Sequence, residues 1–373
     1  MSQAAEIRRA PPAARLFRRS PHIVCHWADG ALVIRNYATR TMLSGDALTL
    51  GLLEYFGDWR PAAPLSRMLS VSPARMRRVL RLLVRTSMLH QSDRPVKPAE
   101  QAMTAWSDWN PEAGFFHFFT KDAPYAADTE VAVAYLRKRL EERPVPPSAK
   151  PYRNGVRIRL PAVHARDRFS RVLLARRTWR QFGGRPVSVR TLSTLMRLTF
   201  GTHKFLDLGA IGKAMLRTSP SAGACHPLEA YVVVRKVNGV APGIYHYRPH
   251  DHELVRVNRT SRSTIARHLC GQSWYGDASF LVLITAVFAR TEWKYPFPRA
   301  YRAVLLEAGH FCQTFCLAAT AFRLAPFCSA ALADSLVERD LRLDGVTESV
   351  LYACGVGTRP RGVRSAPWPR VGR

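Results

Sequence analysis

A cluster of arginines near the middle of the chain has the residue types that bind phosphate. The segment ARRTWRQF contains four closely spaced donors: Arg176, Arg177, Thr178 and Arg180. A guanidinium group donates two parallel hydrogen bonds to phosphate oxygens, and a hydroxyl adds a further donor. The segment therefore predicts a phosphate clamp at a helix end or a strand edge. Because arginine is common throughout the chain, a run of surface arginines is the alternative that the segment alone leaves open.

A second stretch, TSPSAGACHPLEAYVVV, combines a turn of small residues with a buried strand. The turn consists of Pro220, Ser221, Ala222 and Gly223. Such residues favour a tight, non-helical backbone, while the apolar run Leu228–Val234 predicts a strand. Small side chains also let a flat ring approach the backbone closely. By itself the stretch is equally typical of an ordinary loop before a core strand.

Composition limits the classes of protein that the chain can belong to. Its 373 residues are enough for about two domains. A hydrophobic content of 47% with 22% charged residues is typical of globular proteins. The formal net charge of +29 favours anionic partners, such as phosphate-bearing cofactors, acidic peptides, or nucleic acid bound without specificity. An arginine-rich composition that serves only solubility is the alternative.

The cysteines and the long apolar stretch indicate a cytoplasmic protein without a metal site. The seven cysteines include no CxxC pair, so their spacing predicts neither a disulfide framework nor a zinc site. Cys312 and Cys316 lie four apart on a predicted helix, where their apolar neighbours favour packing over metal binding. The basic, proline-rich start predicts no signal peptide. Glu307, His310 and Gln313 interrupt the longest apolar stretch and argue against a membrane span.

The N-terminal part predicts a small domain behind a disordered tail. Residues 1–21 are basic and rich in proline and alanine, which predicts disorder. Residues 22–92 predict a hairpin of residues 23–27 and 31–37 across Asp29-Gly30, and then three helices at residues 45–56, 63–69 and 73–87. This order is winged-helix-like. It resembles the small peptide-recognition modules of ribosomal-peptide maturation enzymes, in which a leader peptide adds a strand to the hairpin edge.

The third helix, which begins at Pro73 after a Ser72 cap, carries a basic face. Its arginines are Arg75, Arg77, Arg78, Arg81 and Arg85. A solvated face, a peptide-binding surface and a DNA-binding surface all remain open. Of the two binding functions we favour peptide binding over specific binding of nucleic acid.

The remainder of the chain predicts a connector and a larger second domain. Residues 93–160 are rich in prolines and charges and predict the connector, with one helix at residues 131–142. Residues 161–373 predict a helix at 188–200, a hairpin at 243–247 and 253–257, an apolar strand at 279–289 and a closing strand at 349–356. Between the last two strands, residues 290–301 predict a loop. The helix at 303–323 is apolar nearly all round, which predicts a subunit interface.

Four segments together resemble the nitroreductase superfamily, and within it the SagB-type dehydrogenases, flavin enzymes that oxidise thiazolines and oxazolines in modified peptides. They are RRTWRQF, PSAGACHPLEAYVVV, WKYPFPRAYRAVLLEAGHFCQTFCLAATAF and LYACGVG, in the order and at the spacing of the superfamily. The resemblance covers residues 169–363. It implies an α+β, nitroreductase-like FMN-binding fold with a central antiparallel sheet flanked by helices, and a homodimer with FMN at the subunit interface.

The resemblance also assigns the cofactor-binding residues. Arg176, Arg177, Thr178 and Arg180 match the phosphate-binding motif, with threonine in place of serine. Pro220, Ser221, Ala222 and Gly223 match the turn that lies against the isoalloxazine ring, which typically comes from the partner subunit. Gly355 and Gly357 match the closing strand, after which Arg359 or Arg361 also reaches the phosphate. The segment LAPFCSAALAD departs from the family because it lacks the glycines that many members have there.

Lys294 and Tyr295 stand where the azoline-oxidising branch carries a Lys-Tyr pair. The resemblance implies oxidation of an azoline ring to an azole, with Tyr295 taking the proton next to the substrate carbonyl and the flavin receiving the electron pair. A phenol is a weak base at neutral pH, and the neighbouring cation of Lys294 would favour the phenolate. Both residues can face one site only if they lie in a loop. The alternative is that they merely shape the pocket.

The resemblance further implies a precursor peptide as substrate, dioxygen as the electron acceptor and possible cyclodehydratase partner proteins. Three alternatives remain open. The first is another FMN oxidoreductase of the family, either an NAD(P)H-dependent reductase or a cyclic-peptide oxidase. The second is a largely non-catalytic scaffold subunit of a peptide-modifying complex. The third is a winged-helix regulator that binds DNA.

Overall fold

The computed structural model describes residues 15–147, 160–161, 166–207, 213–261 and 263–363. The chain divides into two compact units, Met1–Thr120 and Lys121–Arg373.

The N-terminal unit contains two small sheets and several helices. Its elements are β1 (Leu16–Arg19), β2 (Ile23–Ala28), β3 (Ala31–Asn36), β4 (Thr41–Gly45), α1 (Ala47–Tyr55), β5 (Arg60–Pro61), α2 (Ala63–Met68), α3 (Pro73–Arg85), β6 (Leu89–Gln91), α4 (Pro98–Ala102) and α5 (Glu112–Thr120). One antiparallel sheet has the order β5-β1-β6, and the other has the order β2-β3-β4.

The predicted hairpin and the third helix are confirmed. Asp29 and Gly30 have φ values of 50° and 76°, the left-handed conformation that a tight two-residue hairpin turn needs. The hydroxyl of Ser72 accepts a hydrogen bond from the backbone N–H of Arg75 at 3.3 Å and so caps α3. Met76 and Leu80 of α3 are buried, which docks the helix on the core of this unit.

The predicted disorder of residues 1–21 extends too far, because Leu16–Arg19 form β1. Phe17 is buried, and its ring packs edge-on against Phe56 at 5.8 Å between centroids. The strand pairs with β5 and β6, which are distant in sequence. Because the segment itself is rich in arginine, its local sequence does not predict a strand. Residues 1–14 lie outside the described part of the chain.

The stretch predicted as a connector contains helices in its described part. The helices α4 and α5 belong to the N-terminal unit, and the helix Thr129–Glu142 belongs to the C-terminal unit. Pro98 lies at the start of α4, where proline is compatible with a helix. Trp106 and Trp109 are fully buried. Most of residues 148–160 lie outside the described part of the chain.

The C-terminal unit is built on one large sheet. Its elements are α6 (Thr129–Glu142), α7 (Arg168–Ala175), β7 (Val187–Ser188), α8 (Val189–Phe200), β8 (Lys204–Asp207), β9 (Lys213–Leu216), β10 (Leu228–Val234), β11 (Val237–Asn238), β12 (Gly243–Arg248), β13 (Glu253–Asn258), α9 (Thr264–His268), β14 (Phe280–Val287), α10 (Ala289–Glu292), α11 (Ala300–Ala321), β15 (Leu324–Ser329), α12 (Asp334–Leu341) and β16 (Glu348–Thr358). The sheet has the order β13-β12-β10-β14-β16-β15, and every pairing in it is antiparallel.

Helices cover both faces of the central strand β14, which explains its uninterrupted apolar sequence. Leu281 and Leu283 face the core that α9 and α12 contribute to. Phe280 points to the other face and meets Phe315 of α11 at 6.1 Å between ring centroids. The α+β class with an antiparallel central sheet, predicted from the resemblance, is therefore confirmed.

Two elements of this unit were not predicted from the sequence. The first is β15, an edge strand that contains Pro326; proline fits at an edge because no neighbour needs its missing N–H. The second is α12, which follows it. The predicted loop at 290–301 is partly helical, since α10 ends at Glu292 and α11 begins at Ala300.

Within one chain, the helix α11 is buried on one side and exposed on the other. Val304, Phe311 and Phe315 are buried, whereas Leu305 and Leu306 are 37% and 65% exposed. The exposed side of the helix thus carries two leucines among the polar residues Arg302, His310 and Gln313. Among the described residues, no helix has the length and apolarity to cross a membrane.

Candidate functional site

The turn before β10 has a strained backbone, as many functional turns do. Gly223, Ala224 and His226 have φ values of 58°, 56° and 46°. This left-handed conformation is easy for glycine and costly for alanine and histidine. The backbone N–H of His226 donates to the Ser221 hydroxyl at 2.9 Å, and the His226 ring lies 2.7 Å from the carbonyl oxygen of Met215 through its Nε2 atom. These bonds keep the turn in place against the strain.

Lys294 and Tyr295 lie directly against this turn. The ammonium group of Lys294 donates a hydrogen bond to the carbonyl oxygen of Gly223 at 2.9 Å. A Cβ atom added at Gly223 would lie 2.9 Å from Lys294 Nζ and closer still to the hydroxyl of Tyr295. Both residues follow the short helix α10 in non-helical backbone, so they can face the same way, as the sequence analysis required. The structure therefore joins the predicted turn and the predicted pair into one site.

Glu307 of α11 completes this cluster and was missed as a site residue. It is 2% exposed, and the Ser221 hydroxyl and the Ala222 backbone lie beside its carboxyl group. Burial raises the pKa of Glu307 to about 7, against the opposing effect of these neighbouring polar groups and of the Arg217 charge. The feature of the sequence that indicates such a residue is a carboxylate in an otherwise apolar helix. It was interpreted only as evidence against a membrane span.

A partly buried charge network supports the turn from the strand side. Arg290 forms an ion pair with Glu229 at 2.6 Å and donates to the carbonyl oxygen of His226 at 3.0 Å. Glu229 also contacts His246 at 2.7 Å. Burial lowers the pKa of Arg217, while the charges of Glu229 and Glu307 raise it. Each cation in the network thus has a carboxylate nearby, as buried charges require.

The predicted phosphate-binding segment follows α7 and runs beside the edge strand β15. The backbone N–H of Trp179 donates to the carbonyl oxygen of Pro326 at 2.9 Å, and the Trp179 ring is buried. Arg176 and Thr178 come together, with the guanidinium donating to the hydroxyl at 3.4 Å. Arg180 lies near the phenol of Tyr275 and hydrogen-bonds to it. The segment is thus attached to the sheet through Trp179, and its donors Arg176 and Thr178 lie within hydrogen-bond distance of each other.

The end of β16 brings one further arginine to this segment. The guanidinium of Arg359 lies 5.2 Å from the centroid of the Trp179 ring, and its Nε atom donates to the carbonyl oxygen of Leu324 at 2.9 Å. Arg361 is exposed beyond the end of the strand. Of the two arginines that the sequence left open, the structure places Arg359 beside the predicted phosphate-binding segment.

The other predicted residues of this region have visible packing roles. A Cβ atom at Gly355 or Gly357 would collide with the rings of Phe327 and Phe182, respectively. These two glycines therefore make room for aromatic rings on the sheet. Arg177 is exposed and donates at 2.8 Å to the carbonyl oxygens of Leu174 and Arg176, so it turns back on the end of its own helix.

The two groups of predicted residues meet α11 at different points. The turn reaches it at Glu307, whereas the charge of Arg176 acts on the thiol of Cys316. With a rise of 1.5 Å per residue, these positions are separated by about 14 Å along the helix. Within one chain the turn and the arginine segment are therefore apart.

Comparison with known proteins identifies the class. Residues 173–358 match the model of the nitroreductase family. A nitroreductase-family protein of Methanocaldococcus jannaschii is 32% identical over 173 residues, which are 46% of this chain and 83% of that relative. The chain belongs to the nitroreductase family, and its C-terminal unit has an oxidoreductase fold.

A more specific relative is the trifolitoxin-processing protein TfxB of Rhizobium leguminosarum bv. trifolii. It is 29% identical over 172 residues, which are 45% of this chain and 46% of TfxB, so the match spans less than half of that protein. The resemblance stated from the sequence is confirmed for the family, and a peptide-processing relative agrees with its SagB-type branch.

Solved structures are similar at lower identity. A chain of the Escherichia coli microcin synthetase McbBCD complex with truncated pro-MccB17 is 22% identical, with a TM-score of 0.47 over 72% of this chain and 100% of that one. A nitroreductase-family protein of Anabaena variabilis is 22% identical, with a TM-score of 0.43 over 52% of this chain and 38% of that one.

Proposed function

We propose that the protein is an FMN-dependent dehydrogenase that oxidises azoline rings to azoles in a ribosomally made, modified peptide. The observation that carries this proposal is the contact of Lys294 and Tyr295 with Gly223. The sequence pair typical of azoline oxidation lies against the turn typical of flavin contact, although 71 positions separate Lys294 from Gly223. The peptide-processing relative supports the same substrate class.

The residues present fit FMN in two respects. The turn presents backbone rather than side chain at Gly223, and a Cβ atom there would fill the space beside Lys294 and Tyr295. The arginine segment supplies the fixed cationic and hydroxyl donors that a phosphate needs, in Arg176, Thr178 and Arg359. When bound, FMN would accept the two electrons of the oxidation.

In the proposed reaction, a side chain of this protein would accept one proton from the substrate. Conversion of an azoline to an azole removes two hydrogens from adjacent ring carbons, one of them as a proton from the carbon next to the carbonyl. We assign that proton to the Tyr295 oxygen, which faces the turn. The Lys294 ammonium lies 5.9 Å from the Tyr295 ring centroid and is anchored on Gly223, so both side chains are held against the turn. The chain would thus position the base.

A homodimer would complete the site. In one chain, the turn and the arginine segment meet α11 about 14 Å apart by helix geometry. A second copy could bring its turn to the arginine segment of the first. Exposed apolar side chains near the turn are available for that interface: Trp293, Phe297, Leu305 and Leu306. Their exposure in a single chain supports the proposal.

The N-terminal unit would bind a part of the peptide substrate that does not contain the reacting ring. A groove of about 1090 Å³ lies between α3 and the segment that contains β6. Its cations are Arg75, Arg78, Arg81, Arg85, Arg94 and Lys97. Leu82, which is 46% exposed, and Val79 add an apolar floor. This combination suits an extended acidic peptide with apolar side chains better than a nucleic acid, which needs no such floor.

All seven cysteines are free thiols, which supports a reducing, cytoplasmic setting for this enzyme.

The experiment that tests the function uses the purified full chain, FMN and a synthetic peptide that carries a thiazoline. We expect oxygen-dependent loss of two hydrogens per ring, measured by mass spectrometry, and the appearance of thiazole absorption. A peptide whose mass stays unchanged while FMN is bound would contradict the azoline assignment.

A second candidate is reduction of nitro compounds by NAD(P)H, which the relative in Methanocaldococcus jannaschii favours. Consumption of NAD(P)H with a nitroaromatic compound separates the two, because a peptide dehydrogenase should show little of it.

A further inference from the structure

Glu307 is a buried carboxyl group whose partners lie in the candidate site. It lies on α11 and is 2% exposed. Ser221 and Ala222 lie beside its carboxyl group, and among the described residues its Oε1 atom is buried without a hydrogen-bond partner. A buried carboxyl oxygen without a partner costs stability. Packing alone therefore does not explain this residue.

The hydrogen bonds around Ser221 have a defined direction. The Ser221 oxygen accepts the backbone N–H of His226 at 2.9 Å, so its hydroxyl proton remains available for the carboxyl group of Glu307 beside it. On the next part of the turn, Lys294 donates to Gly223. The turn is thus held by two elements, with Glu307 on α11 and Lys294 after α10.

We propose that Glu307 is a positioning residue: its carboxylate fixes Ser221 and Ala222 in the conformation that binds FMN, and protonation of the carboxyl group loosens the turn. This inference rests on the proposed function, because it concerns binding of FMN by the same turn. It assigns to α11 a role in cofactor affinity that the sequence motifs do not include.

The two titratable side chains of the turn next to Glu307 stay neutral in the range where Glu307 titrates. The charged or titratable groups around it come from the adjoining elements: Arg217 after β9, Glu229 on β10, Arg290 and Lys294 in and after α10, and Cys225 and His226 in the turn. Burial lowers the pKa of His226 below its usual 6.5 and raises the pKa of the Cys225 thiol above 9.0. Both are therefore neutral where Glu307, with its pKa of about 7, titrates.

Ionisation of Glu307 has opposite effects on stability and on FMN binding. Its folded pKa of about 7 exceeds the ordinary value of 4.5, so the folded chain retains a proton that the unfolded chain loses. The apoprotein therefore loses stability as the pH rises from about 4.5 to about 7, and the loss levels off above that range. The carboxylate that forms is an acceptor only, so it is the species that would hold the Ser221 hydroxyl and the Ala222 backbone N–H in place. FMN affinity should consequently rise over the same range.

The test measures FMN affinity and apoprotein stability on the full chain stripped of flavin. Quenching of FMN fluorescence gives the dissociation constant, and thermal melting gives Tm, at about pH 6 and about pH 8 for the parent and for Glu307→Gln. We expect the parent to bind FMN about tenfold more tightly at the higher pH, equivalent to about 1.4 kcal/mol. Glu307→Gln should lose this pH dependence, bind FMN more weakly at the higher pH, and yet melt at a higher temperature there.

Two further variants keep the test decisive. Glu338→Gln removes a buried carboxylate of α12 that pairs with Lys121, so it should retain the pH dependence of FMN affinity. Ser221→Ala removes the hydroxyl that lies beside Glu307 and that also accepts the His226 N–H, so it should weaken FMN binding more at the higher pH than at the lower, even if Glu307→Gln fails to fold.

The outcomes separate this inference from the proposed function. Equal FMN affinity in the parent, Glu307→Gln and Ser221→Ala at both pH values would overturn the inference and leave FMN binding standing. The same holds if Glu307→Gln lowers both Tm and affinity without changing the pH dependence, since that is the behaviour of a purely structural residue. Absence of FMN binding by the parent at any pH would overturn the proposed function and the inference with it.

Discussion

The ammonium group of Lys294 donates a 2.9 Å hydrogen bond to the carbonyl oxygen of Gly223. This bond connects the segment after α10 with the turn before β10, two places that are distant in the chain. Because Tyr295 lies against the same glycine, the proposed base and the proposed flavin-facing turn share one location.

Replacement of Gly223 by alanine tests this shared location. The new Cβ atom would collide with Tyr295 and Lys294, and alanine is strained at a φ of 58° by about 1–3 kcal/mol. We expect Gly223→Ala to lose azoline oxidation and to weaken FMN binding, measured by peptide mass spectrometry and by flavin fluorescence. Gly51→Ala is the matched control, since a Cβ atom there meets nothing within 4 Å. Full activity of Gly223→Ala would show that the turn and the pair do not cooperate.

Replacement of Tyr295 by phenylalanine removes the proposed base and keeps the ring. General-base catalysis contributes about 100-fold or more, so the rate of oxidation should fall by that factor while FMN stays bound. The rate is measured on a thiazoline peptide with saturating FMN. Tyr135→Phe, an exposed tyrosine on α6, is the control. An undiminished rate in Tyr295→Phe would leave Tyr295 with a role in pocket shape only.

Arg176 and Arg177 are neighbours with different surroundings, which makes them a paired test of the phosphate site. Arg176 is grouped with Thr178, whereas Arg177 donates to the backbone at the end of its own helix. A hydrogen bond to a charged group contributes about 1.5–3 kcal/mol, so Arg176→Ala should weaken FMN binding by roughly tenfold or more. Arg177→Ala should change the dissociation constant little. Equal losses in the two variants would mean that both guanidinium groups reach the phosphate.

The exposed leucines of α11 make the oligomeric state testable. A charge at Leu306, which is 65% exposed, would be desolvated in the proposed interface. We expect the parent to sediment as a dimer and Leu306→Glu to sediment as a monomer with weakened FMN binding. Leu136→Glu on α6 is the control, because its leucine is also an exposed helical residue, at 43%. A parent protein that is monomeric with FMN bound would contradict the interface.

Local patterns were sufficient where short segments decide the structure. The apolar run Leu228–Val234 is a strand with the predicted ends, and Ser72 caps α3. In both cases the information lies within a few neighbouring residues. The family resemblance then supplied the turn and the Lys-Tyr pair, and the structure brings these together.

Tertiary contacts decided the rest. Whether Glu307 faces solvent or the turn depends on how α11 docks on the sheet, which helical periodicity does not encode when most of the helix is apolar. Arg176 and Arg177 have different partners, and their segment is attached through Trp179 to the edge strand β15, which the sequence patterns did not predict. β1 likewise forms only because strands from later in the chain pair with it.

The visible absorption spectrum of the purified full chain tests the central claim most directly. We expect the absorption bands of oxidised flavin, with FMN released on denaturation, and we expect these bands to be lost in Arg176→Ala. A colourless protein that takes up no added FMN, although it is folded by circular dichroism, would contradict the account.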